Sequence, residues 1–340
     1  MPGLVGNPID RALQDMTKAG TFSGAVLIVR DGKTILSKGY GLADRERNVP
    51  VTPLTRFRIG SISKHFTAAA VLLLNEQEKL AVTDPICRYM ADCPPQWQGM
   101  TIHHLLTHTA GLNNHTDMQA FHAMLDRPTD MAALMDLMRQ VPVRGKPGDE
   151  YRYGNSGYMI LTYIVEQVSG QPYHAFMDSH FFDPLGLENS GTVLTESDLS
   201  LLADGYRLMG GQVYDGQDLH PSILQGDGAL YSTVWDLHRW GDALYGDKVL
   251  SRASRNAMFT AHVPVDTTSG YGYGWSVQRG PAGEAHLHRG ASSDGFEGVF
   301  LTLPDEKLRI VILTNLFGAD LEAVLNVCSE TLLPGVARQQ

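Results

Sequence analysis

A serine and a lysine, Ser61 and Lys64, stand at the head of the segment RIGSISKHFTAAAVLLLNEQ, residues 58–77. Three residues is close to one helical turn, so on a helix the two share a face. Lysine is ordinarily charged at neutral pH, with a pKa of ~10.4. Burial disfavours the charged form and lowers that value. An uncharged amine beside a serine hydroxyl is a general base, and the serine becomes a nucleophile. The run from Phe66 to Leu74 is almost wholly apolar or alanine, which is the composition of a helix buried on every side. Such a helix would hold Lys64 in a dry place and offer Ser61 the free N–H groups of its first turn. The plainer reading makes Ser61 a helix cap and sends the Lys64 charge to solvent. The pair alone does not choose between them.

Two further groups of residues bear on the choice. Tyr153-Gly154-Asn155 lies in DEYRYGNSGYMI, in a glycine-containing loop before an apolar stretch, Tyr158–Val168, that reads as a helix. A tyrosine hydroxyl near Lys64 would relay a proton from Ser61 to a leaving group, and Asn155 offers a donor and an acceptor to a substrate amide. A buried tyrosine followed by a turn asparagine is the competing account. His288-Arg289-Gly290 leads into Ala291 and Ser292. Glycine at a strand edge lets a substrate backbone come close, His288 is a candidate proton carrier, and the Ala291 N–H would join that of Ser61 as an oxyanion hole. A glycine-rich turn with a solvent histidine is the alternative there.

The elements that must position these residues are readable in outline. Residues 7–18 carry Ile9, Leu13 and Met16 at helical spacing. Two strand-like runs, 24–30 and 33–39, meet at Asp31-Gly32, a strong hairpin signal. A second hairpin is predicted from residues 299–303 and 308–314, followed by a helix over about 320–333. Between Ser61 and about Phe182 the patterns are mostly helical, while 200–280 reads as glycine-rich loops with short elements. The expected fold is therefore α+β. An antiparallel sheet of five or more strands, flanked by the N- and C-terminal helices, takes residues 1–60 and 225–340. Residues 61–224 form a mostly helical region, and the site lies between the two.

Taken together, S-x-x-K, Y-x-N and H-x-G occur in that order, each at the edge of an element. This resembles the family of serine β-lactamases and penicillin-binding proteins, which includes class C β-lactamases, D-alanyl-D-alanine carboxypeptidases, D-aminopeptidases and family VIII carboxylesterases. Nearly the whole chain shares in it. FRIGSISKHFTA (57–68) is similar to the nucleophile segment and TIHHLLTHTAGL (101–112) to the helix and turn after it. PGDEYRYGNSGYMIL (147–161) carries the tyrosine, DPLGLENSGT (183–192), GDGALYSTVWDLHRW (226–240) and YGYGW (271–275) match later landmarks, and HRGASSDGF (288–296) the third motif. The resemblance implies that Ser61 is acylated, Lys64 is its base and Tyr153 carries the proton to the leaving group and back in deacylation. Asn155 would contact the substrate amide, and His288 and Gly290 would line the strand along which substrate runs. Class C enzymes have lysine and a small hydroxyl residue at the third motif, where this chain has His288 and Arg289. A mostly neutral histidine anchors a carboxylate less firmly than lysine, although Arg289 itself is a candidate carboxylate clamp. The expectation is a serine hydrolase like the D-Ala-D-Ala carboxypeptidases and D-aminopeptidases. D-amino-acid peptides, including D-Ala-D-Ala ends, are the expected leading substrates, and short-chain esters come next. The alternatives are a carboxylesterase with weak or no β-lactamase activity, or a penicillin-binding sensor that does not turn over.

The remaining composition narrows the partners. The chain carries a net charge of −10 over 340 residues, with no basic stripe for nucleic acid. No apolar run approaches the ~20 residues that span a bilayer. Expected partners are small peptides or esters, with β-lactams among the candidates, and the chain is a monomer or weak homo-oligomer. No metal or cofactor is expected: His104 and His108 are four apart but lack the glutamate of a zinc motif, and no phosphate-binding loop is present. Cys87 and Cys93 suit either a local disulfide or two free thiols. The N-terminal MPGLVGNPID lacks a secretory signal. The compartment stays open: periplasmic or secreted if a signal was removed, cytoplasmic otherwise.

Overall fold

In the computed structural model, residues 7–192 and 202–334 are described. Their scaffold is an eight-stranded antiparallel sheet. In chain order its strands are β1 (Gly24–Arg30), β2 (Lys33–Tyr40), β3 (Val263–Pro264), β4 (Ser269–Tyr271), β5 (Ser276–Gly280), β6 (Gly283–Ser292), β7 (Phe296–Leu303) and β8 (Leu308–Thr314). Across the sheet they run β3-β4-β5-β6-β7-β8-β1-β2. The N-terminal hairpin thus joins the C-terminal one, with Gly24 opposite Thr314 and Arg30 opposite Leu308. At the first turn both Asp31 and Gly32 take positive φ, 49° and 70°, as a tight hairpin between twisted strands requires.

Successive side chains of a strand point to opposite faces, and each face here has its own core. Val26, Ile28, Ile310 and Ile312 pack with Ile9 and Leu13 of α1 (Asn7–Lys18) and with Val324 and Cys328 of the C-terminal helix (Leu321–Leu332). On the inner face, Ala25, Leu27, Phe300 and Val311 join a larger core. It contains α2 (Ser63–Glu76) and the apolar helix Ser156–Ser169. The predicted α+β class holds, with eight strands where five or more were expected.

Residues 200–280 hold more structure than their sequence announced. They contain two helices, Val234–Tyr245 and Arg252–Phe259, and three strands of the sheet. Thr233 caps the first helix, its side chain accepting from Asp236 N at 3.1 Å. The strands β3, β4 and β5 have two, three and five residues, too few to show alternation in a glycine-rich stretch. The cysteines take the bonded alternative, with Cys87 and Cys93 joined in a disulfide and Cys328 free and buried. Among the described residues no helix is long and apolar enough to cross a membrane.

One close approach sets the site. The turn before α2 rests on β6 where Gly290 lacks a side chain: a Cβ there would lie 1.9 Å from the Ile59 carbonyl oxygen. At Gly60, with φ 50°, a Cβ would also be too close to the Ala291 backbone, 2.7 Å from its nitrogen. Gly290→Ala must therefore separate turn and strand. We expect a loss of unfolding free energy of at least about 1–3 kcal/mol in a denaturant melt, and an unchanged midpoint would contradict the close-packing argument.

Candidate active site

Ser61 lies in a single 3-10 turn, Gly60–Ile62, that runs directly into α2. It precedes the α-helix rather than opening it, and no side-chain cap hydrogen bond is made at the helix start. Ser61 is half-buried, whereas every residue from Ile62 to Leu72 is buried. The hydroxyl faces a cleft and the residues behind it face the core.

Lys64 is fully buried, and its Nζ meets three groups. It lies 2.8 Å from Asn155 Oδ1, 2.7 Å from the Asp227 carbonyl oxygen and 2.9 Å from Ser61 Oγ. Burial pulls its pKa down to about 8, partly opposed by the Asp227 carboxylate. The geometry accounts for every position on a neutral amine. Two of the partners are carbonyl oxygens that can only accept, so they take both N–H bonds. The lone pair is left for Ser61, whose hydroxyl can both donate and accept. This arrangement favours removal of the serine proton.

Two supports hold Lys64 in place. Asn155 sits at the head of the helix Ser156–Ser169, where its N–H donates to Asn114 Oδ1 at 2.9 Å. Ser156 Oγ next to it donates to the Asn113 carbonyl at 2.7 Å and accepts from His115 N at 2.8 Å. The loop carrying Asp227 is pinned to two helices. Thr67 Oγ1 donates to the Gly226 carbonyl at 2.6 Å, and Gly226 N donates to Thr162 Oγ1 at 3.1 Å. A Cβ on Gly226 would meet both hydroxyl oxygens, at 2.5 and 2.6 Å, so the position admits no side chain. Asp227, Thr67 and Thr162 were not singled out from the sequence. The GDGALYST stretch marked the loop but not the role of its carbonyl.

Tyr153 is 42% exposed along the cleft, yet its hydroxyl is buried on the side of Ser61. Burial of that hydroxyl pushes its pKa up, against the effect of the Ser61 side chain. The group therefore remains a phenol and is suited to passing a proton on rather than holding a charge. Lys64 Nζ stands 5.2 Å from the ring centre.

His288 belongs to β6 and is buried. Its Nδ1 lies 2.7 Å from the Arg289 carbonyl, which only accepts, so Nδ1 carries the proton. Nε2 then presents a lone pair, to which the Tyr271 hydroxyl donates at 3.1 Å. Burial, with the Lys64 charge second, brings its pKa down to about 3. His288 is thus uncharged with both nitrogens engaged, which makes it a better wall than a proton shuttle. Arg289 points to the opposite face of the strand, as alternation requires, and pairs with Glu322 of the C-terminal helix at 2.6 Å. A clamp on a substrate carboxylate would have to break that pair.

The cleft itself has a volume of about 390 Å³ and is lined by Ser61, Tyr151, Tyr153, Tyr271, His288 and Ala291 among others. On the side of β6 away from β7, β5 pairs only as far as Leu287, so the edge from His288 onward is free of β5 beside Ser61. A second cavity of about 410 Å³, around Arg58 and Asp294, shares no lining residue with it. The histidines at metal-like spacing are separated in role. His104 Nδ1 accepts from Thr101 N in a capping box at 3.1 Å, whereas His108 lies beyond the helix Ile102–Leu106 and faces the tyrosines.

The Beta-lactamase family profile matches residues 9–326, and the chain belongs to that family. It is 34% identical over 259 residues to the putative penicillin-binding protein PbpX of Bacillus subtilis (strain 168), covering 76% of this chain and 63% of that protein. It is 26% identical to protein flp of Staphylococcus aureus (strain N315), covering 91% of this chain and 62% of that one. The chain thus spans somewhat less than two thirds of these relatives. Among solved structures it is similar to the octameric penicillin-binding protein homologue from Pyrococcus abyssi, with TM-score 0.86 and 26% identity over 99% of this chain and 79% of that one. The D-amino acid amidase from Ochrobactrum anthropi SV3 shares the fold at TM-score 0.84 and 22% identity, covering 98% and 99%.

The amine gives a pH dependence. Above about pH 8 Lys64 is neutral and able to accept the proton; below it, the ammonium cannot. The rate of Ser61 labelling by a fluorophosphonate should fall about tenfold per pH unit below that point. Asp227→Asn removes an attraction for the ammonium, so the midpoint should move to lower pH. A midpoint that stays put, or rises, would show that the carboxylate does not act on Lys64.

Proposed function

We propose that this chain is a serine hydrolase that opens amide or ester bonds through an acyl-enzyme on Ser61. The observation that carries the reading is the buried Lys64 Nζ, 2.9 Å from Ser61 Oγ and held by two carbonyl oxygens at 2.8 and 2.7 Å. Lys64 removes the hydroxyl proton as Oγ bonds to the substrate carbonyl carbon. The main-chain N–H groups of Ser61 and Ala291 receive the developing oxyanion. Tyr153 gives its proton to the departing nitrogen or oxygen as that bond breaks, and is reprotonated from Lys64. Water then repeats the sequence in reverse and releases the acid.

Substrate choice follows from the charge of the cleft. His288 is neutral and Arg289 is engaged with Glu322, so a free carboxylate beyond the scissile bond meets no unpaired cation among the described lining residues. Tyr151, Tyr153, Tyr271, Val265 and Leu287 make the walls largely apolar. This favours D-amino-acid amides, D-aminopeptidase substrates and short esters over D-Ala-D-Ala carboxypeptidase substrates and over β-lactams. A D-amino acid amidase has the same fold, as does a hydrolase with promiscuous acyltransferase activity, EstCE1. The octameric Pyrococcus homologue supports self-association.

Ser61→Ala should lose fluorophosphonate labelling and at least ~1000-fold in turnover; retained labelling would place the nucleophile elsewhere. In a panel of D-peptide amides, the matching free acids, p-nitrophenyl esters and a chromogenic cephalosporin, the neutral amides and esters should lead in kcat/KM. Arg289→Ala should leave KM for the free acids within about twofold, because its guanidinium is already paired. A large rise in KM would restore Arg289 as a carboxylate clamp.

A further inference from the structure

His108 stands out among the groups the mechanism leaves unused. It is 5% exposed, and its Nε2 is buried without a hydrogen-bond partner. Its φ is +57°, in the left-handed region that a residue with a side chain enters at a cost of about 1–3 kcal/mol. Strain of this kind persists only where the surroundings impose it. Here they do so through the backbone of the tyrosine loop. The His108 carbonyl accepts from Arg152 N at 2.8 Å, one residue before Tyr153, and the Thr109 carbonyl accepts from Gly148 N at 2.8 Å. The left-handed turn aims the imidazole at four tyrosines. Ring centres lie 4.5 Å from Tyr153, 4.7 Å from Tyr271, 5.2 Å from Tyr158 and 6.0 Å from Tyr151. Burial, with the Lys64 charge next, holds the imidazole uncharged, so it adds no charge beside Lys64.

We infer that His108 is a positioning residue: its ring packs against Tyr153 and holds that phenol where it can protonate a poor leaving group. The inference rests on the proposed role of Tyr153. A ring that is partly exposed on its cleft side has freedom to swing outward. The His108 face blocks one direction of that swing, and the Arg152 hydrogen bond fixes the distance between the two backbones. The consequence is selective. In acylation of an amide, the Ser61 Oγ–C bond forms and the C–N bond breaks, and the nitrogen must leave as an amine with a proton from Tyr153. A p-nitrophenolate leaves as the anion and needs none. A misplaced Tyr153 therefore slows amide cleavage and spares the activated ester.

The test compares kcat/KM, which reports steps through acylation, for a primary amide and a p-nitrophenyl ester of the same D-aminoacyl group. His108→Asn accepts a left-handed backbone readily and removes the ring. It should lose about 100-fold on the amide and less than about threefold on the ester, with Ser61 labelling and thermal midpoint close to wild type. His108→Phe restores a flat ring without nitrogens and should recover most of the amide rate. Equal losses on both substrates, no loss on either, or a Phe variant as poor as the Asn variant would each overturn the inference. Tyr153→Phe is run beside them and should show the same selective loss. If it strikes both substrates equally, the role of Tyr153 falls and this inference falls with it. If it discriminates while His108→Asn does not, only the positioning role of His108 is lost.

Discussion

The site depends on a single dry amine. A lysine ammonium has three N–H bonds and no lone pair, whereas the neutral form has two and one. Around Lys64 the fold supplies two oxygens that can only accept, from Asn155 and Asp227, and one hydroxyl that can also donate, from Ser61. The count fits the neutral form. The ammonium also finds three acceptors, so hydrogen bonding alone does not expel it. Burial by the apolar helix disfavours it and brings the pKa down to about 8, and the Asp227 carboxylate moderates the effect. The balance leaves the amine near its titration point at neutral pH, where a base is most useful.

Three separate pieces of chain meet to make that balance. The helix bearing Lys64 comes from one, Asn155 from the head of a second helix, and the Asp227 carbonyl from a loop fastened by Thr67 and Thr162. The sheet enters through glycine. Gly290 and Gly60 let the serine turn sit directly on β6, so the Ala291 backbone reaches the same cleft as the hydroxyl. Its inner face contributes a histidine that carries no charge, and its outer face keeps the arginine.

How far the sequence revealed this depends on which forces leave a pattern. The Ser61–Lys64 pair was legible because helical spacing and a long apolar run are local signals. Tyr153 and Asn155 were legible only through their order relative to the other motifs. Arg289 was read as a candidate carboxylate clamp, because its actual partner, Glu322, lies 33 residues away, beyond any local signal. Asp227 was hidden for a different reason: its contribution to Lys64 includes a backbone carbonyl, which any residue could supply. The short strands β3 to β5 were missed because their pairing comes from neighbours rather than from their own composition. His108 carried a misleading cue, a four-residue spacing from His104. The helix ends at Leu106, and the left-handed turn sends the second ring elsewhere.

The place of β1 in the sheet has a bearing on how the protein is made. Its hairpin is made before the other strands of the sheet, whereas its neighbour β8 is made after all the others. Until then the Val26 and Ile28 face lacks Ile310 and Ile312, and the edge of β1 that pairs with β8 is open. Closing so distant a contact is slow and leaves apolar surface open meanwhile. Loss of β8 would therefore unseat β1, far earlier in the chain, by removing its partner along the whole strand.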